Sequence, residues 1–186
     1  MKKHPNTIAY LRQMKSVLDI EGSIAECGVY KGDNTFHYAM LLKNNSSCKK
    51  LFAFDTFKGF PKDSKDNVNL TRFDDSSLKE VEKLLSGFAN VIIHAGLFED
   101  TLPLVESESF CCVILDCDLY ESYVTCLNFF YPRMTCGGII ILDEYYSHKY
   151  PLAKVAVDEF CDGVTDKPEM FYKEKNGWER WMIKKS

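Results

Sequence analysis

The 186-residue chain is 46% hydrophobic and 27% charged, with a net charge of −4, an ordinary balance for a single soluble domain spanning 1–186. That charge leaves no basic footprint for nucleic acid, and no apolar run approaches the roughly 18 residues of a membrane span. Eight cysteines show no zinc-like spacing and sit mostly in apolar runs (Cys27, Cys111, Cys112, Cys126, Cys136), which reads as reduced, buried thiols in a cytoplasmic protein.

The N-terminus lacks the apolar core of a secretion signal. Residues 1–21 form a helical segment in which Ile8, Leu11, Met14, Val17 and Leu18 recur at helical spacing, with Gly22 placed to end it. A short strand "SIAECGV" leads through "YKGDN" into a helix "TFHYAMLLK", and "KKLFAFDTF" is a second buried strand. Residues 58–75 read as a long loop, a length that in compact domains is usually functional or mobile. A helix starts at Ser77, with Glu80 completing a capping box, and stops at Gly87. "NVIIHAG" and "FCCVILDCDL" are strands three and four, "SYVTCLNFFY" is a helix ended by Pro132, and "GGIIILDEY" is strand five. A helix from Pro151, with Gly163 just past its end, precedes two strands joined around Asn176-Gly177, a strong hairpin signal.

Continuously apolar strands alternating with helices predict an α/β fold: a Rossmann-like parallel sheet of five strands covered on both faces, closed by an antiparallel hairpin to make seven. Such sheets bind ligands beyond the carboxyl ends of their strands, where the strand order reverses. Acids gather at that end: Asp55 after strand two, Asp116 and Asp118 after strand four, Asp143 and Glu144 after strand five, and Glu26 within strand one.

Each motif suggests a chemistry. In "AECGVYKGDNT", Gly28 and Gly32 let backbone approach a ligand, and Glu26 suits a ligand amino group; the pattern is not GxGxxG, so a dinucleotide pyrophosphate fits less naturally. Asp55 stands where an open α/β sheet holds a ribose. Asp116 and Asp118 share a face if strand four extends that far. Grouped with Asp143 and Glu144 they would repel unless a cation sat among them, and hard oxygen donors suit Mg²⁺, with Mn²⁺ or Ca²⁺ as substitutes. His37 and His94 read as packing residues and His148 as a candidate substrate contact; Trp178 and Trp181 read as core.

The blocks "AECGVYKGDNT", "FDTFKGFP", "AGLFEDTLP", "LDCDLYES" and "GGIIILDEY", in this order over about residues 22–160, resemble the macrocin O-methyltransferase family. The resemblance implies a class I methyltransferase sheet and an S-adenosylmethionine- and Mg²⁺-dependent methylation of sugar hydroxyls. It implies Glu26 and Gly28, with Gly32 in the same loop, at the methionine end of the cofactor. Asp55 and Thr56 would lie at the ribose, Gly96 near the adenine, and Asp116 at the cofactor's edge. Asp116, Asp143 and Glu144 match the metal-ligand positions, and Asp118 matches the general base.

Two departures stand out. Glu144 occupies a position the family usually fills with aspartate. Family members also carry a longer N-terminal segment that helps close the site, whereas about 20 residues precede the first strand here. A more open pocket for a larger saccharide, a neighbouring subunit of a homo-oligomer, or the 58–75 loop would then complete it. The expected partner is a small-molecule or saccharide acceptor, with neither nucleic acid nor membrane involved. Three rival readings remain: a metal-dependent nucleotide-sugar glycosyltransferase, because "DCD" also matches Asp-x-Asp; methylation of a phenolic or catechol oxygen; and a non-catalytic cofactor-binding module.

Overall fold

The computed structural model describes residues 5–61, 64, 66, 72–174 and 177–186. Its elements run α1 (Pro5–Ser16), β1 (Ser23–Cys27), α2 (Asp33–Asn44), β2 (Leu51–Asp55), α3 (Leu78–Leu85), β3 (Val91–Ala95), α4 (Phe98–Thr101), β4 (Phe110–Leu115), α5 (Tyr120–Phe130), β5 (Met134–Leu142), α6 (Pro151–Asp162), β6 (Pro168–Lys173) and β7 (Glu179–Lys184). The seven strands form one sheet in the order β3-β2-β1-β4-β5-β7-β6. β1 to β5 pair in parallel, while β7 runs antiparallel to β5 and β6, as the sequence predicts.

The continuous apolar runs explain the layering. β1 and β4 are buried along their whole length, so both faces of the central sheet must be covered. One face packs Tyr123, Leu127 and Phe130 of α5 and Val157 of α6 against Phe54, Val113 and Leu115. The other packs Tyr10 and Met14 of α1 and Tyr38 and Leu42 of α2 against Ile24, Ile114 and Ile141. Each such large side chain contributes about 1.5–3 kcal/mol by leaving water. Among the described residues no helix is long and apolar enough to cross a membrane.

Several local expectations are corrected. α1 ends at Ser16 rather than at Gly22, and its buried arc runs through Thr7, Tyr10, Leu11, Met14 and Val17, leaving Ile8 41% exposed. Ser77 is the N-cap of α3, but no side chain closes a capping box there; the Glu80 amide donates to the Ser77 carbonyl instead. β4 stops at Leu115, so Asp116 and Asp118 belong to the turn that follows and not to the strand. By contrast, α6 starts at Pro151 and has Gly163 just past its end, as expected, with Gly163 in a right-handed conformation (φ −89°). Cys136 is exposed, and Trp178 is 50% exposed, its ring facing the Arg180 guanidinium at 5.4 Å; only Trp181 of the pair packs on the core. Periodicity did not disclose α4 or the 3-10 turn Leu102–Val105 that follows it. Asn176, predicted to shape the terminal hairpin, lies outside the described residues, as do positions 62–63, 65 and 67–71 of the 58–75 loop.

Candidate active site

The strand order reverses between β1 and β4, and a cavity of about 500 Å³ opens there, lined by Gly28, Asp55, Thr56, Gly96, Asp116 and Asp118 among others. Its size lies within the usual range for small-molecule sites. Six residues singled out from sequence therefore meet at one place. Glu26, Gly32, Asp143 and Glu144 do not line it.

Gly28 brings the two central strands together. Its φ is +95°, and a Cβ added there would fall 1.8 Å from the Asp116 carbonyl oxygen, so no other residue fits without moving the β4 turn. Gly32, at φ +81°, starts α2, and a Cβ would press on Val81 of α3 at 3.2 Å; it shapes the helix entry rather than the cavity wall. Asn34, in the first turn of α2, does line the cavity.

Asp55 is already engaged. Its Oδ2 accepts the Val29 and Tyr30 amides, both at 2.8 Å, and its Oδ1 accepts the Phe57 amide at 2.7 Å. A carboxylate has about four acceptor sites, so room remains for one ligand hydroxyl rather than two. Thr56 donates to the Gly59 carbonyl at 2.7 Å. Both residues build the loop as well as facing the cavity, a duty their sequence position did not reveal.

Glu26 is fully buried. Its Oε2 accepts the Thr35 hydroxyl, and its Oε1 has no partner among the described residues. Burial pushes its carboxyl up to about 8; the Thr35 hydrogen bond works against this and the Asp55 charge adds to it.

Beside the cavity lies the acid cluster. β4 and β5 pair with Leu115 opposite Leu142, and the Asp143 amide donates to the Leu115 carbonyl at 3.0 Å, which brings the residues after each strand side by side. One ligand atom each from Asp116, Asp143 and Glu144 lies within 4.8 Å of the others. Burial, and then repulsion from Asp143, holds the Asp116 and Glu144 carboxyls well above the usual range. Glu144 also accepts the Tyr123 hydroxyl at 2.7 Å. Its extra methylene is accommodated by that bond from α5.

Asp118, 8% exposed, stands next to this cluster. It is a non-glycine residue at φ +63°, a left-handed conformation that persists only where surroundings enforce it and that gathers at functional sites. Burial and the Asp143 charge push its carboxyl up to about 7, opposed by Arg72, Tyr150 and Lys149. The Tyr150 hydroxyl stands against the Asp118 carboxyl, which is how it opposes that rise.

Some residues of the site escaped sequence reading. The Tyr10 hydroxyl of α1 donates to Asp143 Oδ1, and Arg180 of β7 pairs with the same oxygen at 3.4 Å. Tyr10 belongs to the buried arc of its helix and reads from sequence as a core aromatic at most, and Arg180 alternates with Trp181, so only the arrangement of the sheet joins them to the acids. His94 stacks on Phe54 at 5.0 Å, the packing role expected of it. His148 is exposed and is not part of the cavity lining.

A seven-stranded sheet with this order and a ligand-sized cavity at its switch point is the class I methyltransferase fold. It superposes with a TM-score of 0.81 on the calicheamicin methyltransferase CalS11, at 21% identity over 96% of this chain and 78% of that one. The chain belongs to the macrocin-O-methyltransferase (TylF) family, whose profile matches residues 8–167. It is 28% identical over 165 residues to mycinamicin III 3''-O-methyltransferase of Micromonospora griseorubida, covering 79% of this chain and 64% of the relative. It is also 28% identical over 163 residues to 8-demethyl-8-(2,3-dimethoxy-alpha-L-rhamnosyl)-tetracenomycin-C 4'-O-methyltransferase of Streptomyces olivaceus, covering 79% and 58%. The chain thus spans less than two thirds of the length of these two curated relatives.

Proposed function

We propose that this chain transfers a methyl group from S-adenosylmethionine to a sugar hydroxyl, assisted by Mg²⁺, with Mn²⁺ or Ca²⁺ as possible substitutes. The observation that carries the reading is the meeting of Asp116, Asp143 and Glu144 within 4.8 Å at the edge of a cavity lined by Gly28, Asp55 and Gly96. Three crowded carboxylates, Glu144 buried and Asp116 and Asp143 half-buried, suit a hard divalent cation, and all three offer oxygen. Family membership supports the methyl-transfer half of the reading, and the sugar acceptor follows the printed substrate of the tetracenomycin relative.

The cofactor supplies an electrophilic methyl group on a sulfonium. Gly28 would lie at its methionine end, the remaining acceptor site of Asp55 with Thr56 at its ribose, and Gly96 near its adenine. Glu26 and Gly32 would act from behind the cavity wall, Glu26 through its unpartnered Oε1 and Gly32 by setting the start of α2. The cation supplies a Lewis acid that acidifies and orients the acceptor hydroxyl, and Asp116, Asp143 and Glu144 would hold it.

Asp118 would take the hydroxyl proton. It faces the cavity beside Asp116, and in the ligand-free protein its burial raises its affinity for a proton, the direction a general base requires. Only its ionised form accepts a proton, so turnover rises with pH through the Asp118 titration and is lost below it. Asp118→Asn should keep S-adenosylhomocysteine binding and lose about 10²–10⁴-fold in turnover, read as labelled methyl transfer to a panel of glycosides and nucleotide sugars. Undiminished turnover with an unchanged pH profile removes Asp118 as the base.

A further inference from the structure

Asp143 is gripped from both ends of the chain. The Tyr10 hydroxyl and the Arg180 Nε both address its Oδ1, and both side chains are buried, at 1% and 3% exposure. Neither is there by accident of a mobile surface. Tyr10 is seated by its ring, 6.3 Å from Phe171 of β6, and α1 is fastened one turn earlier by the Thr7 hydroxyl donating to Asn34 Oδ1 at 2.7 Å. Arg180 lies in β7, two strands' width from the cavity but directly beside β5, and its NH1 donates to the Glu179 carbonyl at 2.9 Å. A carboxylate rotates freely about its last bond unless donors fix it, and here Oδ1 takes the Tyr10 hydrogen bond and faces the Arg180 charge without a hydrogen bond from its Nε, which fixes the carboxylate and leaves Oδ2 without either contact.

We propose that Tyr10 and Arg180 are positioning residues for Asp143, holding its Oδ1 side so that the carboxylate is kept in the orientation in which it would serve the divalent cation. This rests on the metal reading above. Partners that orient a ligand in this way typically govern metal affinity about 10–100-fold. The two residues differ in kind. Arg180 also places a positive charge near the cation, whereas Tyr10 contributes orientation alone, so Tyr10→Phe is the cleaner probe.

The experiment titrates Mn²⁺ into the purified protein and follows free Mn²⁺ by electron paramagnetic resonance, with S-adenosylhomocysteine affinity measured in parallel in chelator. Tyr10→Phe keeps the ring and its packing and should raise the Mn²⁺ Kd about tenfold, with S-adenosylhomocysteine affinity in chelator unchanged. Where methyl transfer is assayed, the Mg²⁺ needed for half-activation rises while turnover at saturating Mg²⁺ is kept, a split that simple loosening of the core would not give. Arg180→Lys, which retains the charge but not the Nε contact, should weaken Mn²⁺ in the same direction. A folded Tyr10→Phe protein with wild-type Mn²⁺ affinity overturns the inference alone. A wild-type protein that binds no Mn²⁺ overturns the metal reading and this inference with it.

Discussion

At the end of β2 the Asp55 carboxylate accepts three backbone amides, those of Val29, Tyr30 and Phe57. At the ends of β4 and β5 the carboxylates of Asp116, Asp143 and Glu144 crowd within 4.8 Å, with Tyr10, Arg180 and Tyr123 as the side chains that answer them. The first region is satisfied by the chain itself: an acid organises two loops and leaves a shaped hollow. The second has more negative charge than the described residues around it neutralise, and burial raises the price of leaving it so. Acids at strand ends are thus of two kinds, those that build the site and those that wait for a partner, and the count of donors around each separates them.

Gly28 is where the two regions touch, and its replacement should have the largest effect. In Gly28→Ala the new methyl would meet the Asp116 carbonyl, and relief requires the β1 and β4 turns to part. The expected loss is about 3 kcal/mol or more in urea unfolding, at the upper end for an overpacked site, together with weakened binding of both Mn²⁺ and S-adenosylhomocysteine. Losing one ligand but not the other would mean that the two regions are not mechanically joined at this residue.

A smaller effect tests the cradle side by itself. Glu26 has its carboxyl pushed up to about 8, against roughly 4.3 for an unperturbed glutamate. Between those values the folded protein holds a proton that the unfolded chain has released, so this group makes stability fall as pH rises from about 5 to 8. Glu26→Gln is neutral throughout and removes that slope. Melting curves of the ligand-free proteins should show the variant gaining on wild type by several degrees on the order of the shift expected for a chain of this size. Parallel Tm–pH curves would show that Glu26 is ionised in the fold.

Much of this was legible in the sequence because its signals are local. Uninterrupted apolar strands require a sheet covered on both faces, and Gly28 and Gly32 mark turns that a side chain would obstruct. The grouping of Asp116, Asp143 and Glu144 was readable too, since parallel neighbours carry their ends to one edge. What stayed hidden depends on sheet order and on bonds that leave no pattern. Tyr10 and Arg180 are 170 residues apart in the chain, and only the placement of β7 beside β5 and of α1 beneath them brings both to Asp143. Asp116 and Asp118 converge for a different reason from the one expected: the strand ends at Leu115, and the left-handed Asp118, not strand alternation, turns the chain back toward the site. The exposed Trp178 and Cys136 show the limit of composition, because a hairpin edge and a strand's outer end can carry apolar residues without burying them.

The most direct test of the methyl-transfer reading is a thermal-shift titration with S-adenosylhomocysteine, with and without Mg²⁺, using NAD and a uridine-diphosphate sugar as controls. At about 100 times its Kd a ligand specific for the folded state adds roughly 2.7 kcal/mol, which for a chain of this length raises Tm by about 5–10 °C. The account predicts that shift with S-adenosylhomocysteine, with or without Mg²⁺, and none with either control. A shift with the uridine-diphosphate sugar alone would contradict it and make a glycosyl transfer the reading to pursue.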